Sequence, residues 1–388
     1  MAAANRSIRA QGKDYLWILL FLIIFINGFE SGGYQASLWS IGQTYDLSIT
    51  SMGIFAAVEL LADMLAPILL GNWVDRVGKG KSMLIALALQ VVSALFVLLT
   101  QARELFVGGM FVLGLTTSTL QFTAIAALVD AYPATGGKRI GYLTSMYALG
   151  AVVSPLVVSF YLGLGISWRA LFVFLALGSA IAFLGIRMVG TDPREKAPSR
   201  DMGSSTGKFV LSAILLLCVI MCIYVGFENG FAFFVDTLFT DVLNASTGKL
   251  ALSLYWAVMI PSRMLVGHNA KHADKILLGS VIAIPLVAIL MALTSNSTVV
   301  MLLVVPLGLA SGAIYPSVLS IMIPFAGERT ATATGMITAA TGIGGFALTA
   351  LTGFMADQWG MQMALVVLSA FFVISIAAVL RLRAMLAR

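Results

Sequence analysis

The sequence predicts an all-α membrane protein, with twelve transmembrane helices in two six-helix bundles. Three observations carry that prediction. The 388 residues are 60% hydrophobic and only 10% charged, with a mean hydropathy of +1.00, whereas a soluble domain carries charge on about a quarter of its residues. The apolar residues form continuous runs close to the roughly 20 residues that cross a bilayer core, not the alternating pattern of a membrane barrel. The two halves of the chain also carry matching motifs in register.

The elements follow in order. The first 14 residues, M-A-A-A-N-R-S-I-R-A-Q-G-K-D, are polar, and helix 1 spans about 15–38. That run is too long for a secretory signal core, and no small-residue cleavage site closes it. Helix 2, about 50–71, carries Glu59 and Asp63, and leads into G-N-W-V-D-R-V-G-K-G-K, Gly71 to Lys81. Helices 3 and 4 span about 82–100 and 104–130, with Asp130 at the end of the second. Helices 5 and 6 span about 139–163 and 168–189. The one long polar connection, Gly190 to Lys208, has the composition of a linker. It separates an N-terminal bundle, 1–189, from a C-terminal bundle, 209–388. Helices 7 to 9 span about 209–239, 249–267 and 275–294, and helices 10 to 12 about 298–325, 330–355 and 361–380.

Charge sets the orientation. Of the 23 Lys and Arg, all but Arg103, Arg169 and Lys249 fall on one side of this twelve-helix path, Arg263 being counted with the loop cations. The positive-inside rule then places both termini in the cytoplasm of a bacterial cell, with the chain in its inner membrane. The cations are spread over short loops, so the excess over 17 Asp and Glu is no nucleic-acid face. Cys218 and Cys222 share one apolar run and are read as packing residues, not a disulfide framework. His268 and His272 have helical metal-ligand spacing, but no third ligand joins them. No metal or cofactor is expected.

The halves match at three places. Gly28-Phe29-Glu30-Ser31-Gly32 corresponds to Gly226-Phe227-Glu228-Asn229-Gly230, and Leu113-Gly114-Leu115 to Leu307-Gly308-Leu309. Gly137-Lys138-Arg139 corresponds to Gly327-Glu328-Arg329. The offsets are 198, 194 and 190 residues.

The loop after helix 2 resembles the signature of the major facilitator superfamily of secondary transporters through Gly71, Asp75, Arg76, Gly78 and Lys81. Gly80 departs from the pattern, since a second cation is common there. The corresponding stretch of the second half, S-R-M-L-V-G-H-N-A-K-H-A-D-K, keeps Arg263, Gly267 and Lys271 but lacks the acid. The resemblance implies two bundles related by a pseudo-two-fold axis, rocking about a central site. It also implies that the loop latches the cytoplasmic face. Asp75, at the C-terminal end of helix 2, meets an unfavourable helix dipole and needs a partner. V-G-F-E-N-G and S-L-Y-W-A-V-M-I-P-S-R-M-L-V-G, residues 253–267, resemble the sugar–proton symporters related to fucose permease. Gly150 and Pro155 only faintly match the antiporter signature of the superfamily.

Acids within a membrane helix cost roughly 2.5–3.5 kcal/mol each and need a reason. In the superfamily, helices 1, 4, 7 and 10 line the cavity, which puts Glu30 and Glu228 on opposite walls. A carboxylate there, partly removed from water, can exchange a proton during transport. Glu59 and Asp63 share a helix face, and are either a proton carrier or a polar seam against helix 11. Asp236 and Asp130 are read as interfacial. Asn27, Tyr34, Gln35, Gln121, Asn229 and Tyr315 are the candidate solute contacts, since amides donate and accept and rings stack.

The expected function is proton-coupled symport of a neutral polar solute such as a sugar. The alternative is proton-coupled efflux of drugs or organic cations, which would use the acids themselves. The expected partners are a small-molecule solute, protons and the lipid bilayer, with no nucleic acid, and the expected state is a monomer. No convergent nucleophile or metal set suggests an enzyme.

Overall fold

In an apolar solvent every backbone amide needs an internal partner, so continuous apolar runs become helices. The computed structural model describes residues 15–132, 136–191, 209–327 and 329–386. The cations Arg6, Arg9 and Lys13, the linker residues 192–208, and Glu328 and Arg388 lie outside the described residues. In the first half the helices are α1 (Leu16–Tyr45), α2 (Ile49–Val77), α3 (Lys79–Leu99), α4 (Arg103–Ala131), α5 (Gly136–Gly163) and α6 (Ala170–Val189). The second half has α7 (Leu211–Thr237), α8 (Gly248–His268), α9 (Ala273–Ala292), α10 (Ser297–Ala326), α11 (Thr330–Trp359), α12 (Met361–Ala370) and α13 (Phe372–Leu386). The last two form one span broken at Phe371, so among the described residues twelve spans are long and apolar enough to cross a membrane.

Several boundaries differ from those read in the sequence, three of them with consequences. α2 continues through Asp75 and Arg76, so most of the signature is helix and the turn narrows to Gly78, whose φ of 92° suits glycine. α1 runs on to Tyr45, polar residues near its end notwithstanding. α7 passes into a π turn, Leu238–Val242, a geometry that re-aims side chains within a helix.

Contacts group the chain into two compact units, one of Met1–Tyr34 with Ala62–Met202, the other of Gln35–Leu61 with Gly203–Arg388. In the first, α3 packs on α4 and α6. α1 meets α5 through glycine: a Cβ on Gly28 would collide with the carbonyl of Tyr147, and one on Gly150 with that of Phe25. In the second, α9 packs on α10 and on the α12–α13 span, and α7 meets α11 in the same fashion. There Gly344 abuts the backbone of Cys222, and a Cβ on Gly226 would stand 2.8 Å from the Gly344 oxygen.

The matched glycine–glutamate motifs thus have a structural cause. Gly28 and Gly226 let a neighbouring backbone approach, as small residues do between membrane helices. Glu30 and Glu228, two residues on, project about 200° round the helix from those contacts.

The Gln35–Leu61 segment is tied into the second unit by polar bonds. Trp256 Nε1 donates to Gln35 Oε1 at 3.0 Å, Trp39 Nε1 to Asp241 Oδ1 at 2.9 Å, and Thr50 Oγ1 to Asp357 Oδ2 at 2.7 Å. Gly53 of α2 abuts Gly353 of α11.

Candidate functional site

The first unit brings together two acids, one buried and one half-buried. Glu30 of α1 is fully buried, and Asp63 of α2 lies within its electrostatic reach. Asp63 Oδ1 is buried with no hydrogen-bond partner, while the Asp63 main-chain oxygen accepts from Ser118 Oγ of α4 at 2.9 Å. Two carboxylates brought together away from water titrate as a pair. Sequence spacing had suggested Glu59 as the partner of Asp63, one turn away. The fold adds Glu30, across a helix interface, and groups Glu59 with the second unit, buried along the stretch of α2 that runs beside α11.

The solute candidates divide by exposure. Asn27 is fully buried, and its amide donates to the Thr117 carbonyl at 2.9 Å. Tyr34 is buried against Phe106, with ring centroids 6.4 Å apart. Gln35 is buried and accepts from Trp256. These three hold helices together. Gln121 of α4 is exposed, Asn229 of α7 is half-buried, and Tyr315 of α10 is 40% exposed.

In the second unit Glu228 sits in a polar cluster. It is buried, and Tyr224, one turn earlier on α7, donates to its Oε1 at 2.8 Å. Arg263 of α8 lies within electrostatic reach of Glu228, Tyr224, Tyr255 and Tyr315. Charge counting grouped Arg263 with the loop cations, but it stands inside the membrane-capable span Gly248–Val266, within the helix 8 range read from the sequence. Glycine again sets the geometry: a Cβ on Gly308 of α10 would stand 2.8 Å from the Tyr255 oxygen of α8, and one on Gly312 2.7 Å from that of Met259.

Tyr224 was legible in principle, four residues before an intramembrane acid. Arg263 was not, since a cation one turn from a helix end looks the same whether it faces water or the helix bundle.

The signature residues gather at one end of the first unit. Asp75, Gly78 and Lys79 line a cavity of about 320 Å³ with Val74, Ala127, Asp130 and Thr191. Asp75, Arg76 and Lys81 are exposed and Gly71 half-buried. The ion pair here joins Lys79 of α3 to Asp130 of α4. Asp236, read as interfacial, lies next to the end of α7 and is 2% exposed, paired with Lys249 in the first turn of α8 at 2.5 Å.

Comparison with known proteins places these features. The glucose/mannose transporter GlcP of Bacillus subtilis is 22% identical over 302 residues, covering 72% of each chain. The glucose/galactose transporter of Brucella abortus is 22% identical over 376 residues, covering 91% of this chain and 90% of its own. Among solved structures, a bacterial homologue of the human lysosomal transporter Spinster superposes with a TM-score of 0.82 at 17% identity. It covers 97% of this chain and 98% of its own. The nucleoside transporter NupG superposes with a TM-score of 0.72 at 15% identity, over 95% of this chain and 98% of its own. The family model of the Major Facilitator Superfamily matches residues 20–347, most of both units. The chain therefore belongs to the Major Facilitator Superfamily and is an integral, multi-pass secondary transporter.

Proposed function

We propose that this transporter is a proton-coupled symporter of a small neutral polar solute, a monosaccharide in the first instance, working by alternating access between its two halves. The observation that carries the proposal is a pair of intramembrane acids within electrostatic reach of each other: Glu30, fully buried, and Asp63, half-buried, whose Oδ1 is buried with no hydrogen-bond partner. Such a pair can hold one proton between two carboxyls, and its net charge changes by one unit when that proton leaves. A proton site of this kind in the first unit, and hydroxyl-binding groups in the second, would divide coupling from solute recognition. In the second unit Tyr315, exposed, and Asn229, half-buried, supply these contacts of the candidate set, while Gln121 belongs to the first unit. The two relatives named for glucose support a hexose as the first solute to try. The transporter acts as a monomer in a bacterial inner membrane, with both termini cytoplasmic and the Lys79–Asp130 end of the first unit facing inwards.

Proteoliposomes test the proposal. Adding glucose, galactose or myo-inositol outside vesicles that trap a pH-sensitive dye should acidify the lumen. Asp63→Asn and Glu30→Gln should each abolish that signal while leaving solute exchange between preloaded vesicles intact. Uptake of sugar with no proton movement in the unsubstituted protein would reject coupling through this pair.

A further inference from the structure

Arg263 is a guanidinium in an apolar span that has no carboxylate in contact. Among the described residues it forms no ion pair, and its Nε is buried with no hydrogen-bond partner. Yet an acid, Glu228 of α7, lies within its electrostatic reach, together with three tyrosines from α7, α8 and α10. Glu228 Oε1 is occupied by Tyr224 at 2.8 Å, and its other oxygen accepts no hydrogen bond among the described residues. Tyr315, also within reach of Arg263, is 40% exposed. Opposite charges this close in an apolar unit normally close into a direct pair, because each is costly to bury alone. Here the two form no ion pair, and the Gly308 and Gly312 contacts fix α10 closely against α8, the helix that carries Arg263.

We propose that Glu228 and Arg263, with Tyr315 beside them, form a dipolar clamp for neighbouring hydroxyls of a neutral sugar or polyol, and that Arg263 is the residue that rejects organic cations. One solute hydroxyl donates to the free Glu228 oxygen, and an adjacent solute oxygen accepts from the guanidinium fork. The net charge of the clamp is zero. An anionic solute meets Glu228 and a cationic one meets Arg263, and either like-charge encounter costs affinity. The proposal rests on the solute-transport reading above but not on proton coupling.

Calorimetric titration of the purified full-length protein tests it, using glucose, galactose, myo-inositol, gluconate and tetraphenylphosphonium. The unsubstituted protein should bind a neutral member of the panel in preference to both ions. Arg263→Gln should weaken that binding on the order of 10–100-fold, the loss of a charge-assisted hydrogen bond. The same variant should gain about tenfold or more for tetraphenylphosphonium, since Glu228 then stands unopposed. If Arg263→Gln does not fold, Arg263→Lys carries the measurement. It keeps the charge and loses the fork, so neutral-solute binding should fall while the cation stays excluded.

Undiminished neutral-solute binding in a folded Arg263→Gln or Arg263→Lys protein overturns the clamp, as does preference of the unsubstituted protein for either ion. Absence of any neutral ligand in the panel overturns both the clamp and the sugar reading. Sugar binding that depends on Arg263, with no proton movement in vesicles, sinks symport and supports the clamp.

Discussion

Asp236 and Lys249 show what a single charge costs in this protein. The carboxylate is 2% exposed and the ammonium side chain 13%, at a separation of 2.5 Å. Removing one partner of a buried pair strands the other, at a cost of about 3–5 kcal/mol. Lys249→Ala should therefore lower the melting temperature in detergent markedly, and the double variant Lys249→Ala/Asp236→Asn should recover most of the loss. A double variant no more stable than the single one would mean that the ammonium stabilises something besides Asp236. Lys79 and Asp130 make the contrast, with side chains 26% and 56% exposed. A pair so open to solvent contributes about 0–1 kcal/mol, and Lys79→Ala should leave the melting temperature nearly unchanged. Any transport defect in that variant would then belong to the transport cycle and not to folding.

Helices in this fold meet through glycine, and the consequence is testable one element at a time. α11 lies against α7 where Gly344 abuts the Cys222 backbone, and an added Cβ has nowhere to go. Gly344→Ala should destabilise the protein by about 1–3 kcal/mol, the usual cost of overpacking, read as a lower melting temperature and poorer yield. Gly335, on the same helix, has nothing within 4 Å of its would-be Cβ. Gly335→Ala should be neutral or stabilising by up to about 1 kcal/mol, since alanine is the better helix former. Equal effects of the two substitutions would show that the α7–α11 contact is not the constraint. The same reasoning explains why Glu30 and Glu228 follow glycines: the face that carries Gly28 or Gly226 is given to the neighbouring helix, and the acid takes another.

Across the whole molecule, the second half repeats the neighbours of the first. α1 meets α5 as α7 meets α11, and α3 packs on α4 and α6 as α9 packs on α10 and the last span. The repeat extends to Arg139 and Arg329, 190 residues apart, each of which sits over an aromatic ring, Tyr132 and Phe209 respectively. Twelve spans also fix a parity, because an even number returns the chain to the side it left. A fluorescent protein fused to the C-terminus should therefore be bright in a bacterial host, and an N-terminal cysteine tag should resist an impermeant maleimide in intact cells. Labelling of that tag without lysis would reverse the proposed orientation.

The number of spans, the repeat and the family were legible in the sequence because each depends on local or periodic properties: continuous hydropathy, offset motifs and a short signature. So were Glu30 and Glu228, since an acid in an apolar run is conspicuous at any position. Which of the polar residues face a neighbour and which face open space was not legible. Asn27, Tyr34 and Gln35 read as solute contacts, and each also meets a neighbouring helix, Asn27 through its amide nitrogen alone. Asp63 read as the partner of Glu59 by spacing along one helix, whereas its electrostatic reach extends to Glu30 on another. Arg263 was counted with the loop cations, and the fold brings it within electrostatic reach of Glu228. The physical reason is common to all of these. Periodicity along a helix specifies which residues share a face, but the rotation of that face is chosen by packing against helices far away in the chain, through glycine contacts that only the tertiary structure brings together.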